Sequence, residues 1–490
     1  MLFNSYEFIL LFLPITFIVY FLLVKNKLFT ASTSWLVVAS LFFYSCWNVI
    51  YLPLILISII FNYLLSTKII EYDTKNYKNI SKKQLLYIGL IFNIGLLVYF
   101  KYMDFFITTA NISLGTDFSL LSIALPLAIS FFTLQQIAFL VDSYENLVKK
   151  SDFLNYTLFV TFFPQLIAGP IVHYKEMMPQ FLDPKNKIIN NDNISLGIFI
   201  FSIGLFKKVI LADTFATWAN YGYDHSTVLT LFEAWATSLS YTFQLYFDFS
   251  GYMDMAIGIA LLFNIKLPIN FNSPYKATSI IDFWNRWHIT LTKFITTYIY
   301  SPSIMALSNI TFLKSMMITF MAMLISGLWH GAEWTFVLWG AIHGCALVIN
   351  HYWRRAKIKL NKFIAWFITF NFINFTLIIF RANDLNDVSK VLEGMFGLNG
   401  IVLPSFLVNN FSYLSEYGIK FGGIAMNIKG GMDTFIWLIF GFIIIFLFDN
   451  SIKLKDKFKP THTTLLFTSL LFFYSIASIS EHSTFLYFNF

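Results

Sequence analysis

The stretch MMITFMAMLISGLWHGAEW at residues 316–334 decides which class of fold this sequence can adopt. It is an apolar run of helical length that ends on a histidine, His330, and is followed after two residues by a glutamate, Glu333. A helix that crosses a bilayer needs about 20 predominantly apolar residues. Comparable runs recur along the chain from residue 7 to residue 476. The sequence therefore predicts an all-α polytopic membrane protein.

The composition points to the same class of protein. Of the 490 residues, 57% are hydrophobic and only 12% are charged, whereas a soluble domain carries roughly 25% charged residues. These proportions exclude disordered, collagen-like, coiled-coil and disulfide-scaffold proteins. The net charge of +7 indicates basic cytoplasmic loops, because Lys and Arg concentrate on that side of a membrane. We do not expect a nucleic acid as partner.

The apolar runs and the basic clusters predict the topology. We expect about eleven or twelve crossings, with the shorter runs forming re-entrant or amphipathic helices. Residues 1–490 are read as one domain, with N-terminal helices over 1–149, a motif-bearing core over about 150–352 and C-terminal helices over 353–490. The N-terminus is placed outside the cytoplasm, and Arg381–Gly431 is placed on the external side, with a membrane-surface loop on either side as the alternative. The clusters that set this orientation are Lys25 and Lys27, then Lys68, Lys75, Lys78, Lys82 and Lys83, then Arg354–Lys362, then Lys453–Lys459.

Polar residues inside apolar runs are the candidates for function, because a charge at membrane depth costs about 3 kcal/mol. One group is Phe163–Ile171, where two prolines and a glycine break the helix around Gln165. Another is Tyr241–Asp254, where Gln244 and Asp248 are four residues apart and share a helical face. The residues alone leave open whether these carboxylates line a site or bond to a neighbouring helix.

Two further groups carry histidines. The segment Asp282–Thr292 is rich in tryptophan and charge, which is typical of an amphipathic helix at the membrane interface. The second group contains His330. A buried imidazole with a carboxylate neighbour is suited to act as a general base. Glu333 comes within reach of it if the turn stays helical. For both histidines, ordinary packing remains an alternative at this stage. The candidate residues of the first group, Asp282–Thr292, are its histidine, His288, with Trp284, Arg286 and Trp287.

The other histidines carry less weight. His343 lies 13 residues after His330, which is about 220° around an ideal helix, so we expect it to face elsewhere. We expect His351 at the interface, and we expect solvated side chains at His173, His225, His462 and His482. No zinc-ligand spacing, no P-loop and no nucleophile-elbow motif is present in the sequence. We therefore expect no metal site and no serine or cysteine nucleophile.

At these residues the chain resembles the membrane-bound O-acyltransferase (MBOAT) family, in particular its bacterial branch for alginate and peptidoglycan O-acetylation. The resemblance runs nearly from end to end and keeps the order of the motifs. The matching pieces are Phe3–Phe8, Phe163–Ile171, Tyr246–Gly251, Asn270–Tyr275, Phe283–Leu291, Ser326–Gly331, Phe380–Ala382, Met395–Gly400 and Phe485–Phe488.

The resemblance implies a ring of tilted helices around a central tunnel. It places the family's catalytic histidine at His330 and its second polar position at His288. It implies acetyl-CoA as the cytoplasmic acyl donor, with no permanently bound cofactor. It also implies a periplasmic SGNH-type O-acetyltransferase as partner, membrane lipids as surroundings, and the bacterial inner membrane as location, with a periplasmic N-terminus. The residues expected to line or brace the tunnel are Trp284, Arg286, Trp287, Asp248, Gln165, Trp329 and Glu333.

One departure from the family leaves the acceptor open. Relatives often read Arg-Asp-Tyr-Leu-Tyr-Ile-Pro-Leu-Gly-Gly after the Trp-His motif, whereas residues 296–304 here read TTYIYSPSI. Peptidoglycan is our first expectation for the acceptor, with alginate or another exopolysaccharide next. The alternatives are a D-alanyl transfer protein for teichoic acid, or a non-enzymatic transporter or flippase. A transporter predicts inverted repeats of hydropathy, and none is visible.

Overall fold

The computed structural model describes residues 1–75, 80–480 and 485–486. Lys78, His482, Tyr487 and Phe488 lie outside these residues. The described part is predominantly helical and contains almost no strand, which confirms the predicted fold class. Its α-helices are Leu13–Lys25, Phe29–Ser45, Leu52–Ile70, Tyr72–Lys75, Lys82–Leu97, Met103–Leu114, Ile129–Tyr144, Phe153–Thr161, Phe163–Leu166, Tyr174–Leu182, Asn191–Phe206, Asp213–Asn220, Leu231–Leu262, Ile280–Trp284, Ile289–Ile295, Ser301–Met305, Phe312–His330, Trp334–Arg355, Lys362–Arg381, Leu385–Met395, Val408–Phe411, Met432–Leu447, Ser451–Lys457 and His462–Ala477.

Five π-helical segments continue or join these helices. The remaining helical pieces are short 3₁₀ turns. Such π-helical turns occur often at functional sites. Val98–Tyr102 contains Lys101 and Lys207–Ala212 contains Lys208, and both lysines make contacts described below. The five segments are Glu7–Phe12, Val98–Tyr102, Lys207–Ala212, Tyr221–His225 and Thr296–Tyr300.

The number of helices able to span a bilayer is smaller than expected. Within the described residues, seven helical runs are long and apolar enough, or eight if a pair bent by 48° is one span. The expectation of eleven or twelve counted the apolar residues 231–247 and 253–263 as two runs, but they form one continuous helix, Leu231–Leu262. It also counted the apolar residues 153–167, whose helix ends at Thr161 and is too short to span. The seven are Glu7–Lys25, Val49–Ile70, Lys82–Leu114, Asn191–His225, Leu231–Leu262, Phe312–His330 and Lys362–Arg381, and the bent pair is Met432–Leu447 with Ser451–Lys457.

The 32-residue helix Leu231–Leu262, called the central helix below, is the most deeply buried of these spans. It packs closely against Asn191–Phe206, because glycines face each other at two levels. A Cβ added to Gly197 would lie 2.7 Å from the carbonyl oxygen of Gly258, and one added to Gly204 would lie 2.6 Å from that of Gly251. Small residues at such contacts let two helices approach within a membrane.

Two buried ion pairs tie the central helix to the π-helical segment after Asn191–Phe206. The ammonium of Lys208 lies 2.6 Å from a carboxylate oxygen of Asp248, and that of Lys207 lies 2.6 Å from Asp254. All four side chains are at most 12% exposed. The carboxylates inside this apolar helix therefore neutralise buried lysines, which is how a charge persists at membrane depth.

The stretch Arg381–Gly431 connects two helices whose other ends adjoin the basic clusters Arg354–Lys362 and Lys453–Lys459. The helix Lys362–Arg381 enters it, and Met432–Leu447 leaves it. It contains the only strands among the described residues, a short parallel pair of Val402–Pro404 with Lys420–Gly422. Glu233 at the start of the central helix fastens this stretch, because its carboxylate accepts hydrogen bonds from the backbone and the side chain of Asn427.

Candidate active site

The helix Phe312–His330, called the histidine helix below, ends on the candidate base and packs tightly against the following helix. His330 is the last helical residue, and the next residue, Gly331, is extended. A Cβ added to Gly327 would lie 2.4 Å from the carbonyl oxygen of Phe336 and 3.0 Å from the Cα of Gly340. A glycine is thus required one turn before His330, so that the two helices can meet.

Aromatic rings surround the imidazole of His330, which is only 4% exposed. The ring centroids of Trp329, Trp339 and Phe380 lie 5.0, 5.3 and 5.3 Å from that of the imidazole. The centroid of His288 is 6.2 Å away. The structure therefore brings together the two histidines that the sequence analysis selected, in a pocket walled by aromatic side chains.

His288 adopts a backbone conformation that a non-glycine residue rarely adopts. Its φ is +46° and its ψ is +51°, which lies in the left-handed region. Such a conformation costs about 1–3 kcal/mol and is concentrated at functional sites, where the surrounding structure enforces it. Here the backbone on both sides is held, because the Ile289 N–H donates to the Asn270 carbonyl and the Asn272 N–H donates to the Arg286 carbonyl.

Asn270 determines which ring nitrogen of His288 carries a hydrogen. Its Oδ1 accepts the backbone N–H of Thr290 at 3.0 Å, so this atom is the amide oxygen and not the nitrogen. The same Oδ1 lies 3.2 Å from Nδ1 of His288. Since an oxygen without a hydrogen can only accept, Nδ1 must donate, and the neutral ring then has its lone pair on Nε2.

Thr290 joins this segment to the broken helix that the sequence analysis selected. Its hydroxyl oxygen lies 3.0 Å from Asn270 Oδ1 and accepts the Ile171 N–H at 3.2 Å. Gln165, within that break, is fully buried and donates its side-chain amide to the Phe159 carbonyl at 2.7 Å. Gln165 therefore supports the backbone where the helix is interrupted.

The tryptophans of the Trp-rich segment face different ways. The ring of Trp284 lies 5.8 Å from Trp339 and 5.4 Å from His343, so it extends the aromatic wall beside His330. Trp287 stacks instead on Phe283 at 5.6 Å. Trp329 bridges the two histidines, with its ring centroid 6.0 Å from His288. Trp284 and Trp329 thus belong to the histidine pocket, while Trp287 packs behind it.

Two charged candidates do not reach the histidine pair. Arg286 is about one-third exposed and pairs with Asp282 at 2.7 Å, so it lies on the rim of the segment. Asp248 is held by Lys208 and also accepts the backbone N–H of Leu486 at 3.0 Å. Both side chains are engaged in structural contacts, and Asp248 braces the fold.

Glu333 is separated from His330 by the end of the helix. Since Gly331 is extended, the turn does not stay helical and the condition for a His330–Glu333 contact is not met. Glu333 instead precedes the helix Trp334–Arg355 and lines a cavity of about 220 Å³ with Lys101, Asp104 and Gly331. Burial raises the pKa of Glu333, and a hydrogen bond with Thr335 opposes this shift.

Two expectations about the other histidines were wrong. His343 does not face away, because the chain breaks at Gly331 and a single helical wheel does not apply. It is buried, its ring lies 4.6 Å from that of Trp339, and its Nε2 lies 3.0 Å from the Thr376 hydroxyl. His173 is not solvated either, since it is 2% exposed and its Nδ1 lies 2.9 Å from the Tyr298 hydroxyl.

The C-terminal residues reach the same region. Phe485 is 2% exposed and its ring lies 4.4 Å from Tyr252 and 6.2 Å from Phe249. Phe249 in turn contacts His288, with ring centroids 5.0 Å apart. The terminal motif that the sequence analysis matched to the family thus begins next to the histidine pocket.

The chemistry available here is that of neutral imidazoles in an apolar pocket. An imidazole so placed can take a proton from a hydroxyl and return it to a leaving group. Among the described residues, no group of three or more His, Cys, Asp or Glu side chains could hold a metal ion. The two imidazoles suit acid–base chemistry on a bound substrate.

Comparison with known proteins decides the family. The sequence profile of the membrane-bound O-acyltransferase (MBOAT) family matches residues 34–383, which is more than half of the chain. The chain belongs to this family. The resemblance noted from its motifs is thereby confirmed, and so is the expectation that it is an acyltransferase.

Three relatives from the MBOAT family differ in how similar they are to this chain and in how much of it they cover. A "Peptidoglycan O-acetyltransferase" of Helicobacter pylori is 47% identical, over 100% of this chain and 98% of that protein. A "Probable alginate O-acetylase AlgI" of Pseudomonas aeruginosa is 36% identical, over 81% of this chain and 75% of that protein. A "Teichoic acid D-alanyltransferase" of Streptococcus thermophilus is 26% identical, over 54% of this chain and 69% of that protein.

Proposed function

We propose that this MBOAT protein transfers acetyl groups from cytoplasmic acetyl-CoA across the inner membrane for the O-acetylation of a cell-envelope polysaccharide. The observation that carries the proposal is the pair of buried histidines, His288 and His330, with ring centroids 6.2 Å apart. A buried imidazole next to a second neutral imidazole provides a base and a group that can orient the acceptor.

In the proposed reaction, His330 removes the proton from the acceptor hydroxyl while its oxygen attacks the thioester carbonyl. A C–O bond forms, the carbonyl carbon passes through a tetrahedral oxyanion, and the C–S bond breaks. The departing CoA thiolate takes back the proton from the imidazolium of His330. The acceptor thus gains an acetyl ester and CoA leaves as the free thiol, so atoms and charges balance.

His288 orients the acceptor in this scheme. With Nδ1 donating to Asn270 Oδ1, the ring presents Nε2 as a hydrogen-bond acceptor. Such a nitrogen can accept a hydrogen bond from another hydroxyl of the substrate, while the reacting hydroxyl gives its proton to His330. The enforced backbone conformation of His288 keeps the ring in one place, which supports a positioning role.

Peptidoglycan is the polysaccharide that we propose first as the final acceptor of the acetyl group. The relative named as a peptidoglycan O-acetyltransferase shares 47% of aligned residues over the full chain. Alginate or another exopolysaccharide comes next, on the 36% identity to the alginate relative. D-Alanyl transfer has less support, because the matching relative is 26% identical over about half of this chain.

The remaining parts of the proposal concern orientation and partners. The two helices that flank Arg381–Gly431 adjoin basic clusters at their other ends. Because Lys and Arg concentrate on the cytoplasmic side of a membrane, we assign those ends to the cytoplasm. The N-terminus and the stretch Arg381–Gly431 then face the periplasm. A periplasmic SGNH-type O-acetyltransferase is the proposed partner that places the acetyl group on the glycan.

The donor decides between acetylation and D-alanylation. Purified protein is incubated with acetyl-CoA or with a D-alanyl carrier-protein thioester, and release of the free thiol is followed with and without a hydroxyl acceptor. We expect turnover with acetyl-CoA and no turnover with the D-alanyl carrier-protein thioester. Turnover restricted to the carrier thioester would replace our proposal by D-alanyl transfer. Absence of turnover with either donor, by folded protein, would favour the transporter alternative.

A further inference from the structure

The C-terminal end of the histidine helix is closed by side chains from another helix. The last four carbonyls of a helix lack partners within it and need them elsewhere. Here the Gly327 carbonyl accepts the Gly331 N–H at 3.4 Å. The Leu328 carbonyl accepts the Tyr102 hydroxyl at 2.7 Å. The last two carbonyls, those of Trp329 and His330, accept from Lys101.

Lys101 makes the strongest of these contacts. Its ammonium lies 2.6 Å from the Trp329 carbonyl oxygen and 3.0 Å from that of His330, and it lies 3.4 Å from the Ser130 hydroxyl. An ammonium has three hydrogens to donate, and all three find an acceptor here. Among the ion pairs of the described residues Lys101 has no carboxylate partner, so its charge is directed at the helix end.

A cation at this position matches the electrostatics of the helix. The C-terminal end of a helix carries a partial negative charge, which a lysine stabilises. Hydrogen bonds from a charged donor are also stronger than those from a neutral one. Lys101 belongs to the π-helical segment Val98–Tyr102 within the run Lys82–Leu114, and such segments occur often at functional sites.

We propose that Lys101 is a positioning residue, which fixes the backbone of His330 so that its imidazole stays aligned with His288. Lys101 acts through the carbonyls of Trp329 and His330 and does not touch the substrate. The inference rests on the proposed function, because it assumes that His330 is the base. A loosened helix end would leave the donor site intact and would misplace the ring.

The test compares four variants in the full-length purified protein. Lys101→Met removes the charge and the hydrogen bonds, while Lys101→Arg keeps both. Tyr102→Phe removes the single bond to the Leu328 carbonyl, and Lys83→Met makes the same change at an exposed position near the start of the same helical run. Two quantities are measured for each variant: kcat and KM for acetyl-CoA, and hydrogen–deuterium exchange of the backbone over residues 326–336.

We expect Lys101→Met to lower kcat about tenfold or more, with KM for acetyl-CoA within about twofold of wild type. Exchange over residues 326–336 should be faster. Lys101→Arg should keep kcat within about threefold, because it retains a charged donor, and Lys83→Met should change neither quantity. If Lys101→Met does not fold, Lys101→Gln takes its place, because its amide can still donate without a charge.

Several results would overturn the inference. One is unchanged exchange in Lys101→Met, and another is faster exchange with unchanged kcat. A rise in KM alone would assign Lys101 to donor binding. If wild-type protein does not transfer acetyl groups from acetyl-CoA, the proposed function fails, and the exchange measurement still decides by itself whether Lys101 holds the helix end.

Discussion

Asn270 and His288 share a hydrogen bond of 3.2 Å between Oδ1 and Nδ1 that fixes the protonation pattern of the His288 ring. The same oxygen accepts the Thr290 backbone N–H at 3.0 Å, so the amide cannot flip without losing that bond. One buried side chain thus determines both the orientation of the ring and the nitrogen that is left to accept a hydrogen bond.

Replacing Asn270 should therefore reduce activity while the protein still folds. Loss of a buried hydrogen bond costs about 1–3 kcal/mol, which corresponds to about a tenfold to hundredfold loss of rate if the bond serves the transition state. We expect such a loss of kcat for Asn270→Ala in acetyl transfer by purified protein. Asn371→Ala is the control, because that side chain bonds only to the carbonyl one turn before it. Equal activity of the two variants would contradict a role for Asn270.

The buried pair of Lys208 and Asp248 should contribute to stability in a strongly coupled way. Removing one partner of a buried ion pair costs up to about 3–5 kcal/mol. Asp213, which lies 2.9 Å from the Lys208 ammonium and is about one-quarter exposed, offsets part of this cost. We expect Asp248→Leu to lower the thermal stability in detergent markedly, and the double variant Lys208→Met/Asp248→Leu to recover most of the loss. Asp449→Leu removes the surface ion pairs with Lys453 and Lys457 and should lower the thermal stability far less. A double variant as unstable as the single one would disprove the coupling.

The contact of Gly327 with the following helix should not tolerate a methyl group. A Cβ at this position would meet the Phe336 carbonyl oxygen at 2.4 Å, which is backbone and cannot rotate away. We expect Gly327→Ala to lower both the melting temperature and kcat, since the histidine helix must move. Gly95→Ala is the matched control, because no atom lies within 4 Å of the added Cβ. A Gly327→Ala protein as stable and active as Gly95→Ala would refute the close packing.

Glu333 should be dispensable for the chemistry. It follows the break at Gly331 and lines the cavity with Lys101, instead of bonding to His330. We expect Glu333→Gln to keep kcat within about threefold of wild type, because the amide preserves size and polarity without serving as a base. A loss as large as that of His330→Ala would restore the carboxylate as a partner of the base.

The sequence predicted the fold class because apolar runs of helical length need no tertiary information to recognise. It also selected His288 and His330 as candidate functional residues, because polar side chains within or beside apolar runs are easy to recognise. The number of spans could not be read in this way. A short polar patch such as Asp248–Ser250 looks like a break, yet it continues the central helix because Lys208 neutralises the carboxylate.

The supporting residues of the site depended on tertiary contacts that no local pattern reveals. Asn270 lay within a matched motif, which was its only signal. Lys101 is 229 residues from His330 in sequence, so its contact with the helix end required the structure. His343 was misjudged because a single helical wheel was extended through Gly331, where the chain in fact turns.

The most direct test of the central claim is acetyl transfer by purified protein from radiolabelled acetyl-CoA to a hydroxyl acceptor, comparing wild type with His330→Ala. The folded state of the variant is checked by its melting temperature and by gel filtration in detergent. If His330 is the base, the variant should retain its fold and lose transfer by at least about a hundredfold. A folded His330→Ala protein that transfers acetyl groups at the wild-type rate would contradict the account.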